Sequence, residues 1–188
     1  MKSICVFCGS KPGAKPIYKE KAIELAKLLV EQDITLVYGG GAIGLMGELA
    51  RTVRDLGGKV IGIIPDFLMS KEVGLVDGCE LHVVKNMHQR KAKMAELSDG
   101  FIALPGGIGT FEELFEVLTW KQLSLHKKPI GLLNINSYYD HLLTFMKHAE
   151  EEQFFNESGL MKVADEPLTL LQLMSSEHSE TTAHYNLI

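Results

Sequence analysis

The nine residues Pro105-Gly106-Gly107-Ile108-Gly109-Thr110-Phe111-Glu112-Glu113 carry the clearest chemistry in the chain. Glycines let a ligand approach the backbone, and the start of a helix offers free N–H groups and a partial positive charge. Gly106 through Thr110 therefore reads as a cradle for a phosphate, with the Thr110 hydroxyl as an added donor. Glu113 has two readings. Thr110 and Glu113 spell Thr-x-x-Glu, the pattern of a helix-capping box. A carboxylate beside a phosphate site would also repel the anion unless it served another part of the ligand. The residues alone leave both readings open. Glu112 would point about 100° away from Glu113 around a helix.

A second glycine loop, Gly39-Gly40-Gly41-Ala42-Ile43-Gly44, matches G-x-G-x-x-G, and Asp66 follows about twenty residues later. That pattern supports a dinucleotide site, but it follows the second strand of the chain rather than the first. It also leaves the loop at Gly106 without a role. Tight structural turns are the alternative. Ser10, Gly40, Gly41 and Gly44 are the candidate nucleotide contacts here. A third feature is Met87-His88-Gln89-Arg90-Lys91. Cations at a helix start oppose its macrodipole, so an anionic ligand or a carboxylate such as Glu113 is expected beside Arg90 and Lys91. A solvated basic turn is the alternative, and His88 could be a general base, though a surface histidine is the commoner case.

The elements that must position these residues are legible as short apolar runs between longer amphipathic stretches. Strands are expected at Ile4–Phe7, Thr35–Tyr38, Val60–Ile64, Leu81–Val84, Phe101–Leu104 and Ile130–Ile135, near-continuously apolar as parallel strands covered on both faces would be. Helical spacing recurs in Ala22, Leu25, Ala26 and Leu29, in Phe111, Leu114, Phe115 and Leu118, and in Leu142, Phe145, Met146 and Ala149. Val117 and Trp120 widen the middle stripe, so that helix is either central or part of a subunit contact. The expectation is an α/β, Rossmann-like doubly wound parallel sheet with helices on both faces. Residues 1–174 form one domain and 175–188 a polar tail.

With 188 residues and a formal net charge of −5, the chain can enclose a full core but has no basic run suited to nucleic acid. No apolar stretch approaches the ~20 residues of a membrane span. The opening MKSICVFCGS moves directly into a strand, which predicts a cytoplasmic protein. Cys5 and Cys8 spell C-x-x-C, yet on a strand residues three apart face opposite sides, so burial is expected rather than a redox pair. No His/Asp/Cys cluster has metal-ligand spacing, and no metal is expected.

Together these residues resemble a known family. Pro105 to Glu113 is similar to the PGGxGTxxE signature of the LONELY GUY (LOG) family, cytokinin riboside 5′-monophosphate phosphoribohydrolases long mislabelled as lysine decarboxylases. The likeness runs from about residue 2 to 174, through CVFCGS, the VYGGG-IGLMG loop, the M-x-x-RK element and TWxQLxxHxKPIGLLN. It implies a Rossmann-like fold, usually homodimeric, that hydrolyses the bond between an adenine-type base and ribose 5-phosphate. The implied partner is a small-molecule nucleoside monophosphate, without cofactor.

Carried onto this chain, the resemblance makes Arg90 and Glu113 the catalytic pair. Gly106, Gly107, Ile108, Gly109 and Thr110 would hold the 5′-phosphate, with Phe111 and Glu112 continuing the binding segment. Glu72, Lys91 and Thr119 would complete the substrate site. Nothing marks a Schiff-base lysine with a pyridoxal phosphate pocket. Two other classes compete: a non-catalytic Rossmann-type nucleotide-binding or carrier protein, and an NAD-linked dehydrogenase resting on Gly39–Gly44 and Asp66.

Overall fold

The structure, a computed structural model, describes residues 1–69, 78–156 and 159–185. Its order is β1 (Ser3–Phe7), α1 (Pro16–Glu31), β2 (Thr35–Tyr38), α2 (Gly44–Asp55), β3 (Val60–Pro65), β4 (Glu80–Val84), α3 (Met87–Glu96), β5 (Gly100–Ala103), α4 (Ile108–Gln122), β6 (Ile130–Leu133), α5 (Asp140–Glu151), β7 (Lys162–Ala164) and α6 (Pro167–Tyr185). The seven strands form one sheet in the order β4-β3-β2-β1-β5-β6-β7. Every pairing is parallel, with Cys5 opposite Val37 on one side and opposite Phe101 on the other. The expected doubly wound sheet is the observed one.

Strand residues alternate between two cores. Ile4, Val6, Leu36, Tyr38, Ile102 and Leu133 join Leu25 and Leu29 of α1, Leu49 of α2 and Met174 of α6. Cys5, Val37, Ile63, Phe101 and Leu132 join Met94 of α3, Leu114 and Leu118 of α4, and Met146 of α5. Both faces are covered by helices, and burial on both faces is why the inner strands read as unbroken apolar runs. Phe145, which the helical spacing of α5 assigns to the apolar face, is instead 64% exposed.

Two elements depart from expectation. The seventh strand, β7, is three residues long and only part-buried, so it has no apolar run to reveal it. The stretch from residue 175, expected as a polar tail, continues α6 to Tyr185. Polar composition does not by itself end a helix, and residues 168–185 contain neither glycine nor proline. The hydroxyls of Ser176 and Ser179 donate to the carbonyls of Gln172 and Ser175, four residues back. Glu177 ties this helix to Lys121 of α4 at 2.5 Å.

Candidate active site

The chain winds from β1 through β4 in one direction and then returns to place β5 on the other side of β1. The carboxyl ends of β1 and β5 thus form the topological switch point, where open α/β sheets bind ligands. The two loops leaving it are stitched together. Gly9 N–H donates to the Pro105 carbonyl at 3.1 Å, Leu104 N–H to Phe7 at 2.9 Å, and Leu45 N–H to Gly9 at 3.0 Å.

The Pro105–Thr110 segment does not use Thr110 as a cap. The N-cap of α4 is Gly107, which brings no side-chain cap, and the helix begins at Ile108. Thr110 is therefore the third helical residue, and Glu113 lies about a turn and a half inside. The capping-box reading of this pair fails because the helix starts earlier than the pattern assumes. First-turn amides have no carbonyl four residues back to receive them, and here the N-cap glycine has no side chain to take that role. Thr110 is 3% exposed, with its side chain packed over Gly106. A β-carbon on Gly106 would lie 2.1 Å from the Thr110 hydroxyl oxygen.

Arg90 reaches the same place from α3. Asn86 caps that helix by accepting from Gln89 N–H at 2.9 Å, which sets Arg90 on the inner face, 6% exposed. Its Nη2 donates to the Gly39 carbonyl at 2.9 Å, just past β2, and its Nε to the Ile63 carbonyl of β3 at 3.2 Å. These acceptors offset the unfavourable position of a cation at a helix start. Lys91 is held differently, donating to Glu112 and, at 2.9 Å, to Glu116. Burial opposes its charge, but these two carboxylates outweigh that and raise its pKa above the ordinary lysine value.

Arg90 and Glu113 line one cleft of about 200 Å³, together with Cys8, Gly9, Ser10, Met46 and Gly107 through Thr110. Burial pushes the Cys5 and Cys8 thiols upward, and the negative charge of Glu113 adds to that in both. The two cysteines belong to opposite core faces and are free thiols, so C-x-x-C forms no redox pair. A second cleft of about 360 Å³ shares Gly9, Ser10 and Gly107, and is walled by Tyr18, Leu45 and Tyr138.

The other candidates separate by position. Ile108, Gly109 and Glu112 sit at the start of α4, Ile108 being 82% exposed. The Phe111 ring turns into the core, edge-on to Tyr139 with centroids 6.2 Å apart. Thr119 lies on the exposed side of α4, its hydroxyl donating to the Phe115 carbonyl at 2.7 Å. Gly40 packs on Ile63 and Ile64, Gly41 is buried, and Gly44 sits against the backbone of Ser10. The Gly39–Gly44 loop is thus engaged in packing, and Asp66 accepts from the amide of Phe67 at 2.6 Å. Glu72 lies outside the described residues. Sequence reasoning missed Tyr138, whose hydroxyl donates to the Gly106 carbonyl. The rule that ligands sit beyond strand ends would have found it just after β6.

Residues 46–174 match a family model described as "Possible lysine decarboxylase". The chain is 53% identical over 173 residues to a probable cytokinin riboside 5′-monophosphate phosphoribohydrolase (LOGL3) of Oryza sativa subsp. japonica, covering 92% of this chain and 82% of the relative. It is 51% identical over 166 residues to the Arabidopsis thaliana enzyme LOG7, with coverage of 88% and 76%. Among solved structures, the Moco carrier protein of Chlamydomonas reinhardtii superposes with a TM-score of 0.71 at 22% identity, covering 95% of this chain and 98% of that one. At that identity the likeness bears on the fold alone. The two enzyme relatives go further: the chain belongs to the LOG family of cytokinin riboside 5′-monophosphate phosphoribohydrolases.

Proposed function

We propose that the protein hydrolyses the N-glycosidic bond of adenine-type nucleoside 5′-monophosphates, cytokinin riboside 5′-monophosphate and AMP, giving free base and ribose 5-phosphate. The observation that carries this reading is the single cleft that Arg90 and Glu113 share with the uncapped start of α4. In it, the first-turn amides of α4 hold the 5′-phosphate. That grip supplies binding energy remote from the reacting carbon.

The bond from C1′ to the base nitrogen breaks with its electron pair leaving on the base, and the ribose becomes oxocarbenium-like. Glu113, inside the helix from the phosphate amides, stabilises that positive charge and orients the water. The water oxygen bonds to C1′, and one of its protons ends on the departing base. Arg90 serves as a hydrogen-bond donor and not as a general acid. Fixed on the Gly39 and Ile63 carbonyls, it is a preorganised donor for the anionic substrate or for Glu113.

Lysine decarboxylation fits poorly. A Schiff-base lysine needs a depressed pKa, whereas Lys91 beside the loop has a raised one. Lys128, whose burial lowers its pKa, sits near Asp99, which accepts from the amides of Lys2 and Ser3 at the opposite end of the sheet.

The enzyme works as a homodimer in this reading. Ile108, Phe115 and Leu123, spaced seven and eight residues apart, give α4 an exposed apolar stripe, with Thr119 among them. The free thiols of Cys5, Cys8 and Cys79 suit a reducing, cytoplasmic compartment.

The test is product analysis with AMP and N6-prenylated AMP. Free base and ribose 5-phosphate are expected from at least one. A folded protein that cleaves neither, yet is thermally stabilised by nucleotide, would instead be a binding or carrier protein.

A further inference from the structure

Two consecutive tyrosines after β6 reach across to the glycine loop. Tyr139 donates its hydroxyl to the Leu104 carbonyl at 2.7 Å, and Tyr138 donates to the Gly106 carbonyl at 2.5 Å. The turn that presents them is unusual. Asn136 and Ser137 have φ of 52° and 58°, a left-handed conformation that non-glycine residues rarely adopt. Asn134 holds that turn, accepting from Tyr139 N–H and donating to the Asp140 carboxylate, both at 2.7 Å.

The two bonds are not equivalent. The Leu104 carbonyl belongs to the peptide whose nitrogen is that of Pro105, which has no hydrogen. The Gly106 carbonyl belongs to the peptide whose N–H is that of Gly107, the N-cap of α4. In a trans peptide the N–H points opposite to the C=O. With its carbonyl on Tyr138, this peptide therefore aims its N–H away from Tyr138. Gly107 is common to the two clefts flanking the loop, of which Tyr138 lines one and Glu113 the other.

We propose that Tyr138 is a positioning residue for phosphate recognition. Its hydrogen bond fixes the plane of the Gly106–Gly107 peptide and polarises it, making the Gly107 N–H a stronger donor to a phosphate oxygen. A hydrogen-bonded carbonyl strengthens the N–H of its own peptide unit in this way. The inference rests on the reading of this loop as the phosphate cradle, and its test separates the two.

The Tyr138→Phe variant keeps the ring and its edge contacts with Tyr139 and Tyr18, centroids 4.9 and 6.0 Å away. Its KM for AMP should rise about three- to tenfold, the worth of one hydrogen bond, with kcat within about twofold. The inhibition constant of inorganic phosphate should rise by the same factor, and that of free adenine should not move. Tyr139→Phe should lower thermal stability and leave phosphate inhibition unchanged.

Phosphate and adenine inhibition weakened alike by Tyr138→Phe would reduce the residue to a structural role. Unchanged phosphate inhibition would overturn the proposal outright. A second measurement needs no variant: titrating the unmutated protein with phosphate should move the Gly107 amide resonance downfield. If phosphate competes with AMP but that resonance stays still, Tyr138 has no such role while the cradle stands. If phosphate does not compete at all, the cradle itself is wrong.

Discussion

The guanidinium of Arg90 occupies the place where a side chain on residue 39 would begin. A β-carbon built on Gly39 would lie 1.9 Å from Nη2 and 2.9 Å from Cζ. Gly39 is thus part of the arginine's seat, and its carbonyl is one of the acceptors that hold the charge. Gly39→Ala should push the guanidinium off the Gly39 and Ile63 carbonyls, at about 1.5–3 kcal/mol per charge-assisted bond lost. Turnover should fall at least about a hundredfold, as misplacing a catalytic group does, and unfolding should begin several degrees earlier. An alanine variant with wild-type kcat would detach the position of Arg90 from the chemistry.

Glu113 is a cleaner target than its Thr-x-x-Glu spacing implies. With Gly107 as N-cap and the helix starting at Ile108, its carboxylate is too deep in α4 to cap the first turn. Glu113→Gln should therefore leave the start of α4 intact, with an unchanged far-ultraviolet circular dichroism spectrum. The same substitution should lower kcat by at least about a hundredfold, the scale of a lost charge-stabilising or proton-handling group. Inhibition by inorganic phosphate should stay within about twofold. Near-normal turnover in steady-state assays would remove Glu113 from the mechanism.

How far the residues foretold this site depends on burial. Strands covered on both faces left unbroken apolar runs, so β1, β2, β3, β5 and β6 were legible and with them the switch point at Gly9 and Pro105. The part-buried β7 left no such trace. The helix start was misjudged because Thr110 looks like a cap, whereas its hydroxyl is packed over Gly106. In the Gly39–Gly44 loop, Gly39 and Gly44 let Arg90 and Ser10 approach the backbone, contacts that a G-x-G-x-x-G pattern does not name. Tyr138 was invisible because its role depends on a tertiary hydrogen bond from a turn with two left-handed residues.

Lys91 ties α3 to α4 one residue from Arg90, through Glu112 and Glu116. Burial works against its charge, but the carboxylates prevail and raise its folded pKa above 10.5. Because the folded value exceeds the unfolded one, this stabilisation is complete below about pH 10 and is lost as pH rises through the folded value. Lys91→Met should cost about 1 kcal/mol near pH 8, discounted for the half-exposed Glu112. Thermal melts of both proteins from pH 8 to 11.5 should show the difference shrinking at the alkaline end. A difference that persists unchanged would assign the loss to packing rather than charge.

The proposed homodimer would form through the outer face of α4. Phe115 is 40% exposed, Leu123 64% and Ile108 82%, on a helix whose opposite face is locked into the core by Leu114, Val117 and Leu118. Burying this stripe against a second copy would remove apolar surface from water at roughly 25 cal/mol per Å². Phe115→Glu places a charge at its middle without touching a buried residue. Sedimentation velocity should show a dimer for the unmutated protein and a folded monomer for the variant, with an unchanged far-ultraviolet circular dichroism spectrum. Because Thr119 follows one turn later on the same face, the monomer should also lose activity if the partner subunit helps complete the substrate site. A variant that remains dimeric would move the interface to another surface, and an unmutated protein that sediments as a monomer would remove the dimer altogether.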